Sequence, residues 1–388
     1  MGNFYVIVLD GVGCGAQEDA DEYGDVGSNT LGHVSATTKV ELPNLQKVGL
    51  GNIIPLDSVA PVIDPIASYG KMREVSAGKD STTGHWEIAG IHLEEAFPTY
   101  PKGFPQEVID AFCKKVGVEG VLTNLPYSGT EVIAEYGDEH LKTGKPIVYT
   151  SADSVFQVAT NDSVTSVEQL HEWCRIAREE VLIGEHNVGR VIARPFTGES
   201  GAFERISDKR QDFSAIPPEK NVMALLEKNG VKRYSVGKII DLFAGIGFTQ
   251  YRKTKSNAEG ISQFLSMMHG VENSFVFVNL IDFDQLYGHR NDPKGFAGSL
   301  KEFDKAVPAI LNNLRDDDVL ILTADHGNDP VSDSTDHARE FVPLLMVQPN
   351  KKVGENLGIR STFSDIAATA LDYFNVDADL PGTSFLRR

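Results

Sequence analysis

Residues 319–340 read VLILTADHGNDPVSDSTDHARE, and the reading of this stretch decides the fold. Its first six residues are a continuous apolar and β-favouring run, the pattern of a strand buried on both faces. The run stops at Asp325-His326-Gly327. Eleven positions after Asp325 comes Asp336-His337, across a segment rich in Asp, Ser and Pro that reads as a loop. A strand that delivers a carboxylate and an imidazole at its C-terminal tip, with a second imidazole returned by a loop, suits a metal ion of hard to borderline character. The bland alternative is a polar loop with hydrogen-bonded histidines. What separates the two is whether other strands end in the same way.

Two do. Residues 4–9 form an apolar run that stops at Asp10, and residues 275–281, FVFVNLI, stop at Asp282-Phe283-Asp284 with His289 close behind. The Gly11-Val12-Gly13-Cys14-Gly15 turn does not match the dinucleotide fingerprint, so Asp10 reads as a metal ligand rather than a neighbour of phosphate. In an open parallel sheet the C-terminal tips share one edge, where ligands bind. Carboxylates crowded there would repel by several kcal/mol in a low dielectric, so a cation is required, and the ligands suffice for two. Asp282 is expected to point away from the others, because neighbouring strand residues alternate faces.

Composition bounds the rest. At 388 residues the chain exceeds one ordinary core, and two domains are expected. A net charge of −19 argues against nucleic acid and anionic membrane as partners. Cys14, Cys113 and Cys174 lie far apart, which suits a reducing compartment and neither a disulfide framework nor a thiolate site. No leader or membrane-length apolar run is legible, and a cytoplasmic location is expected. Nothing in the sequence fixes an oligomeric state; a monomer is the simplest expectation.

Residues 78–87, GKDSTTGHWE, place three hydroxyls between glycines. They read equally as a helix N-cap cluster or as a nucleophile on a turn that opens a helix. From residue 97 the organisation changes. Prolines at 98, 101 and 105 mark a crossing, strands are expected at 146–150 and 188–193, and a helix capped by Ser166 and Gln169 lies between them. Pro217-Pro218 closes the segment. The expected organisation is therefore a core of residues 1–96 and 217–388 with an inserted α/β cap domain at 97–216. Arg190, Arg194, Arg205, Lys209 and Arg210 cluster in that insert. A solvated surface is the plain reading, but guanidinium groups grip phosphate well, and an anionic substrate is preferred. Asp153 stands where it could take sugar hydroxyls.

The strings VLDGVG, GDVGSNTLGH, GKDSTTGHWEIAG, YTSADSVFQ, GRVIARPF, NLIDFDQLYGHR and TADHGNDP…TDHARE run in order along almost the whole chain. Together they closely resemble the phosphopentomutases, a family of the alkaline phosphatase superfamily. The resemblance implies an α/β fold: an alkaline-phosphatase-like core with a mostly parallel sheet and helices on both faces, plus the smaller inserted cap. It implies two manganese ions, one held by Asp284, His289 and His337, the other by Asp10, Asp325, His326 and the hydroxyl of Ser81. Ser81 falls on the family's nucleophile, a position the family usually fills with Thr, and Gly11 stands where Ser is more usual. The implied reaction interconverts α-D-ribose 1-phosphate, and its 2-deoxy analogue, with the 5-phosphate. It would pass through a phosphoenzyme and a pentose 1,5-bisphosphate, with a sugar bisphosphate as activator. Asp153, Arg190, Arg194, Arg210 and Lys238 are the candidates for gripping the sugar and the distal phosphate. A cofactor-independent phosphoglycerate mutase, a phosphatase, and a non-catalytic sugar-phosphate-binding protein are the alternatives.

Overall fold

A computed structural model describes residues 2–151 and 153–386; Ala152, within the 149–157 string, lies outside the described residues. The first elements are β1 (Phe4–Leu9), α1 (Thr30–Thr38), α2 (Pro43–Val48), β2 (Ser68–Met72) and α3 (Ser81–Ile88). Next come α4 (Gln106–Val116), β3 (Asn124–Pro126), α5 (Gly129–Thr143), β4 (Ile147–Thr150), β5 (Val155–Asn161), α6 (Val167–Ile176), β6 (Arg190–Thr197), β7 (Glu204–Arg205) and β8 (Gln211–Ser214). The chain ends with α7 (Val222–Lys228), β9 (Lys232–Val236), α8 (Ile239–Leu242), β10 (Gln250–Arg252), α9 (Asn257–Met268), β11 (Ser274–Leu280), α10 (Pro293–Asn312), β12 (Val319–Thr323), β13 (Val342–Val347), β14 (Asn356–Arg360) and α11 (Asp365–Tyr373). Two compact units result: Met1–Ala96 with Pro217–Arg388, and Phe97–Ile216.

The first unit is built on an eight-stranded sheet in the order β10-β9-β11-β1-β12-β13-β2-β14. Its left half, through β12, is parallel; β13 runs antiparallel to both neighbours, and β14 is again parallel to β2. β1 and β11 are buried along their whole length, as central parallel strands covered on both faces must be. Successive side chains of β1 report those two covers. Phe4 packs on Tyr373 of α11, and Tyr5 on Phe264 of α9. Helices α1, α2 and α9 pack with α10, while α3 and α7 pack with α11, so helices cover both faces. Register levels the tips: Leu9 stands opposite Leu280, and Val8 opposite Thr323. The residues that follow these three strands therefore emerge at one edge.

The second unit carries a mixed sheet, β3-β4-β5-β6-β7, with β8 paired to β6. One apolar cluster joins Phe112 of α4 and Leu170 and Trp173 of α6 to Phe156 and Val158. The other joins Val132 and Ile133 of α5 to Tyr149, Ala159 and Phe196. Ser166 caps α6 by accepting the Gln169 N–H, as its sequence spacing predicts. The expected strand at 188–193 is longer in the structure, reaching Thr197, because pairing with β5 runs up to Phe196.

Candidate metal centre

Four chain segments meet at the edge of the core sheet. Asp10 follows β1, and its N–H donates to the Leu280 carbonyl at 3.1 Å. Gly11 turns the chain with φ 76°, a conformation that strains an L side chain, and its N–H donates to Asp325 Oδ1 at 3.1 Å. A Cβ there would stand 3.0 Å from the Asn328 Cβ, so glycine suits this turn better than the serine of the resemblance.

After β11 the chain enters a single wide helical turn, Phe283–Tyr287. Asp282, at its start, accepts the Asn257 N–H at 2.7 Å and so faces α9, away from the cluster. Asp284, one step into the turn, faces inward and accepts the Asn328 Nδ2 amide at 2.7 Å. His289 Nε2 lies 3.4 Å from Asp284 Oδ2, and His337 Nε2 lies 3.2 Å from Asp284 Oδ1.

Past β12 come Asp325 and His326, both fully buried. His326 Nε2 lies 3.4 Å from Asp10 Oδ1, 3.3 Å from Asp325 Oδ2 and 3.2 Å from Ser81 Oγ. The other nitrogens of two rings are engaged: His326 Nδ1 with the Gly327 carbonyl at 3.0 Å and His289 Nδ1 with the Thr335 carbonyl at 2.7 Å. A carbonyl can only accept, which assigns the proton to Nδ1 and leaves the Nε2 lone pair facing the cluster. Ser81 is the first residue of α3. Asp80 caps that helix, accepting the N–H of Thr82 and Thr83 and the Thr83 hydroxyl, the last at 2.5 Å. Of the three hydroxyls, the cap takes Thr83, and the cluster takes Ser81.

The structure thus brings Asp10, Ser81, Asp284, His289, Asp325, His326 and His337 together. Two triads have ligand atoms within 4.8 Å of one another: Asp284, His326 and His337, and Asp10, Asp325 and His326. His326 belongs to both, whereas the resemblance gives it to one ion and places His289 beside Asp284 and His337. Asp10 Oδ1, Asp325 Oδ2 and His337 Nε2 are buried with no hydrogen-bond partner among the described residues. His337 Nε2 is near Asp284 but lacks hydrogen-bond alignment. Buried lone pairs left in this way are costly unless a cation takes them. The oxygen and nitrogen donor set fits a divalent metal.

Electrostatics agree. Burial works against a charged Asp284, but His337 and His289 outweigh it and hold the carboxyl well below its ordinary range. Burial likewise opposes charge on His289, yet the bond to Asp284 lifts it to about 9. His326 is raised well above the usual imidazole value against its burial, by Asp325 and Asp10. Protons and metal ions therefore compete for the same lone pairs.

Three further side chains support the cluster. Asn279 donates through Nδ2 to Asp10 Oδ2 at 2.8 Å and lies 3.2 Å from His85 Nε2. His85 Nδ1 is 2.7 Å from the Ser81 carbonyl and 3.1 Å from Asp325 Oδ2. Asn328 orients Asp284. The single polar residue inside the FVFVNLI run, Asn279, was the one visible clue.

The remaining candidates divide between the units. In the insert, Arg190 Nη2 lies 3.4 Å from Asp153 Oδ2, and Arg210 binds Asp212 through Nε and Nη2 at 2.8 and 2.7 Å. Arg194 donates to Gln157 Oε1 at 2.8 Å. Lys238 belongs to the other unit, just ahead of α8.

A Metalloenzyme superfamily profile matches residues 2–378. Two curated phosphopentomutases, from Caldanaerobacter subterraneus subsp. tengcongensis and Acetivibrio thermocellus, are 54% and 52% identical over 382 residues. They cover 98% of this chain and 96% and 98% of their own lengths. Among solved structures, a phosphoglycerate mutase of Leishmania mexicana aligns over 98% of this chain and 97% of its own, with TM-score 0.46 and 13% identity.

Proposed function

The chain belongs to the phosphopentomutase family, within the Metalloenzyme superfamily, and on that premise we propose that Ser81 carries the phosphoryl group between positions 1 and 5 of the sugar. The protein is a divalent-metal enzyme, an isomerase of the intramolecular phosphotransferase type, and its substrates are small pentose phosphates, ribose 1-phosphate and 5-phosphate.

Asp284, His289 and His337 would hold one ion, and Asp10, Asp325, His326 and Ser81 the other. We take both as manganese, whose preferences match mixed carboxylate and imidazole donors. When bound, the ions supply Lewis-acid stabilisation of charge on the transferring phosphoryl group. The rest is the work of side chains. Phosphorylated Ser81 donates its group to the 5-hydroxyl of ribose 1-phosphate, breaking the Oγ–P bond and forming the sugar O5–P bond as the hydroxyl proton passes to solvent. Ser81 Oγ then attacks the phosphorus at position 1, forming the Oγ–P bond and breaking the sugar O1–P bond; O1 takes a proton from solvent, the phosphoenzyme is regenerated and the 5-phosphate is released. The partial positive charge at the start of α3 favours the serine alkoxide between the two steps. A sugar bisphosphate activates the enzyme by priming Ser81. Asp153, Arg190, Arg194, Arg210 and Lys238 grip the sugar and the distal phosphate. No helix among the described residues is long and apolar enough to cross a membrane. The free cysteines suit the cytoplasm, where we place the enzyme.

The observation that carries this reading is the 3.2 Å approach of Ser81 Oγ to His326 Nε2 while Asp80 occupies the neighbouring Thr83 hydroxyl. A coupled assay of the metal-loaded protein tests it. Ribose 1-phosphate should be converted, while 3-phosphoglycerate and a generic phosphomonoester are left alone. Turnover of 3-phosphoglycerate at a comparable rate would move the reading to the phosphoglycerate mutases.

A further inference from the structure

The segment that returns His337 to the metal cluster also carries an arginine whose donors all leave for another part of the core. Gly327 and Ala338 exchange N–H···O bonds at 3.0 and 2.7 Å, which pins the segment beside the residues that follow β12. There the Thr335 carbonyl takes His289 Nδ1, and His337 Nε2 lies against Asp284. Two residues further on, Arg339 is 2% exposed. All five N–H bonds of its guanidinium are engaged. Nε and Nη2 donate to Asp19 Oδ2 at 3.2 and 3.0 Å, and Nη2 also donates to the Glu74 carbonyl at 2.9 Å. Nη1 donates to the Ser76 and Gly78 carbonyls at 2.8 and 2.7 Å and lies 3.0 Å from Glu74 Oε2.

Three alternate carbonyls of one backbone stretch, at 74, 76 and 78, thus converge on a single side chain. That stretch leads through Lys79 and Asp80 into Ser81, the first residue of α3, and it belongs to no helix or strand. Gly78 has φ 133°, where an L side chain would be strained, and its N–H donates to the Tyr23 hydroxyl at 3.3 Å. The Arg339 guanidinium carbon in turn stands 4.7 Å from the centre of the Tyr23 ring. A second tie repeats the first. Asp25 accepts the Arg339 backbone N–H at 2.8 Å and Lys79 Nζ at 3.1 Å, and Lys79 Nζ lies 3.4 Å from Asp336, the residue before His337. A charge needed only beside Glu74 and Asp19 could be an ammonium. Carbonyls reached from three residues at once need a planar fork.

We propose that Arg339 is a positioning residue that ties the stretch 74–80 to the His337 segment, so that the metal ligands and Ser81 Oγ keep one register. The inference rests on Ser81 as the phosphoryl carrier. Arg339 acts through Ser81 and His337, and its effect is on alignment: misplacing a reacting atom by about 1 Å can cost on the order of 100-fold in rate. By the same tie, an ion that fixes His337 also quiets residues 74–80, even where the serine ligand is missing.

Kinetics and hydrogen exchange test the two halves. Arg339→Lys keeps a cation beside Glu74 but cannot fork to the three carbonyls. It should lower kcat by about 100-fold, with KM and the manganese dissociation constant held within about threefold. Tyr23→Phe is a milder change that removes the acceptor of the Gly78 N–H and keeps the ring. It should lower kcat several-fold at unchanged KM, and it decides the kinetic half if Arg339→Lys fails to fold. In chelator-treated Ser81→Ala protein, manganese should slow amide exchange in the peptide covering residues 74–80. Adding Arg339→Lys should remove that effect while manganese still protects residues 282–289. The exchange half uses no turnover, which separates it from the reaction assignment. Phosphate mapped to another hydroxyl, with this coupling present, would overturn the Ser81 reading and leave the tie standing. Full kcat in the folded variants, a manganese affinity that falls in step with kcat, or protection at 74–80 that survives Arg339→Lys overturns the proposal.

Discussion

At the scale of single residues, the sharpest expectation concerns the three neighbouring hydroxyls. Ser81→Ala should lose several powers of ten in mutase rate, as loss of a covalent nucleophile does elsewhere, while still binding metal through its remaining ligands. Ser81→Thr should keep substantial activity. Thr83→Ala removes the hydroxyl given to Asp80 together with a buried methyl and should cost about 1–2 kcal/mol of stability, read from the melting temperature, with far less effect on rate than Ser81→Ala. Phosphate mapped to Thr82 or Thr83 would sink the assignment. A second expectation concerns Asn279, which holds Asp10 and touches His85. Asn279→Leu should weaken manganese binding by about 10–100-fold in a titration followed by electron paramagnetic resonance, with the fold intact by circular dichroism. The six candidate ligands were legible because each is a carboxylate or imidazole at the end of an apolar run or in the loop beyond it. Asn279 and Asn328 were not, because a side-chain amide acts only through neighbours that the fold supplies.

Among the elements, β1, β11 and β12 could be read from the sequence because parallel strands covered on both faces are continuous apolar runs. β5 escaped, since Gln157, Thr160 and Asn161 interrupt its pattern, although all three are buried in the fold. β2 and β14 escaped for another reason: their sequences, SYGKM and NLGIR, are short, and a central glycine with polar flanks breaks the pattern of each. The β5 region contains a device that sequence could not show. His140 of α5 donates from Nδ1 to the Lys145 carbonyl at 2.8 Å, and its Nε2 accepts the Asn161 N–H at 2.9 Å. Both bonds need the neutral ring, and burial depresses its pKa below the ordinary 6.5. The unfolded chain therefore binds a proton at pH values where the folded insert still resists it. Stability from this contact is complete above 6.5 and is lost as the pH falls below it toward the depressed folded value. Exchange protection at the α5–β5 junction should weaken between pH 7.5 and pH 5, about the ordinary imidazole range. His140→Gln should be less stable at neutral pH with a shallower pH slope; an unchanged slope would rule out His140 as its source.

For the whole molecule, the two compact units differ in their metal-ligating side chains. The metal-ligand triads among the described residues lie in the first unit. Chelation should therefore lower the melting transition of that unit and leave the insert's transition in place. Each ion at a free concentration of one hundred times its dissociation constant contributes about 2.7 kcal/mol. Calorimetry should resolve two transitions rather than one, and a single transition shifted as a block by chelator would contradict this. The order of strands also sets a timetable for synthesis. β1 is made first, yet both of its neighbours, β11 and β12, lie beyond residue 270. At ribosomal rates of roughly 5–20 residues per second, the strand that will become the centre of the core waits on the order of 15–55 s for a partner. During that interval FYVIVL is a bare apolar segment, and the finished insert at 97–216 stands between it and its partners. A nascent chain stalled before residue 270 should accordingly engage a holding chaperone through its first ten residues, and release should follow translation of β11.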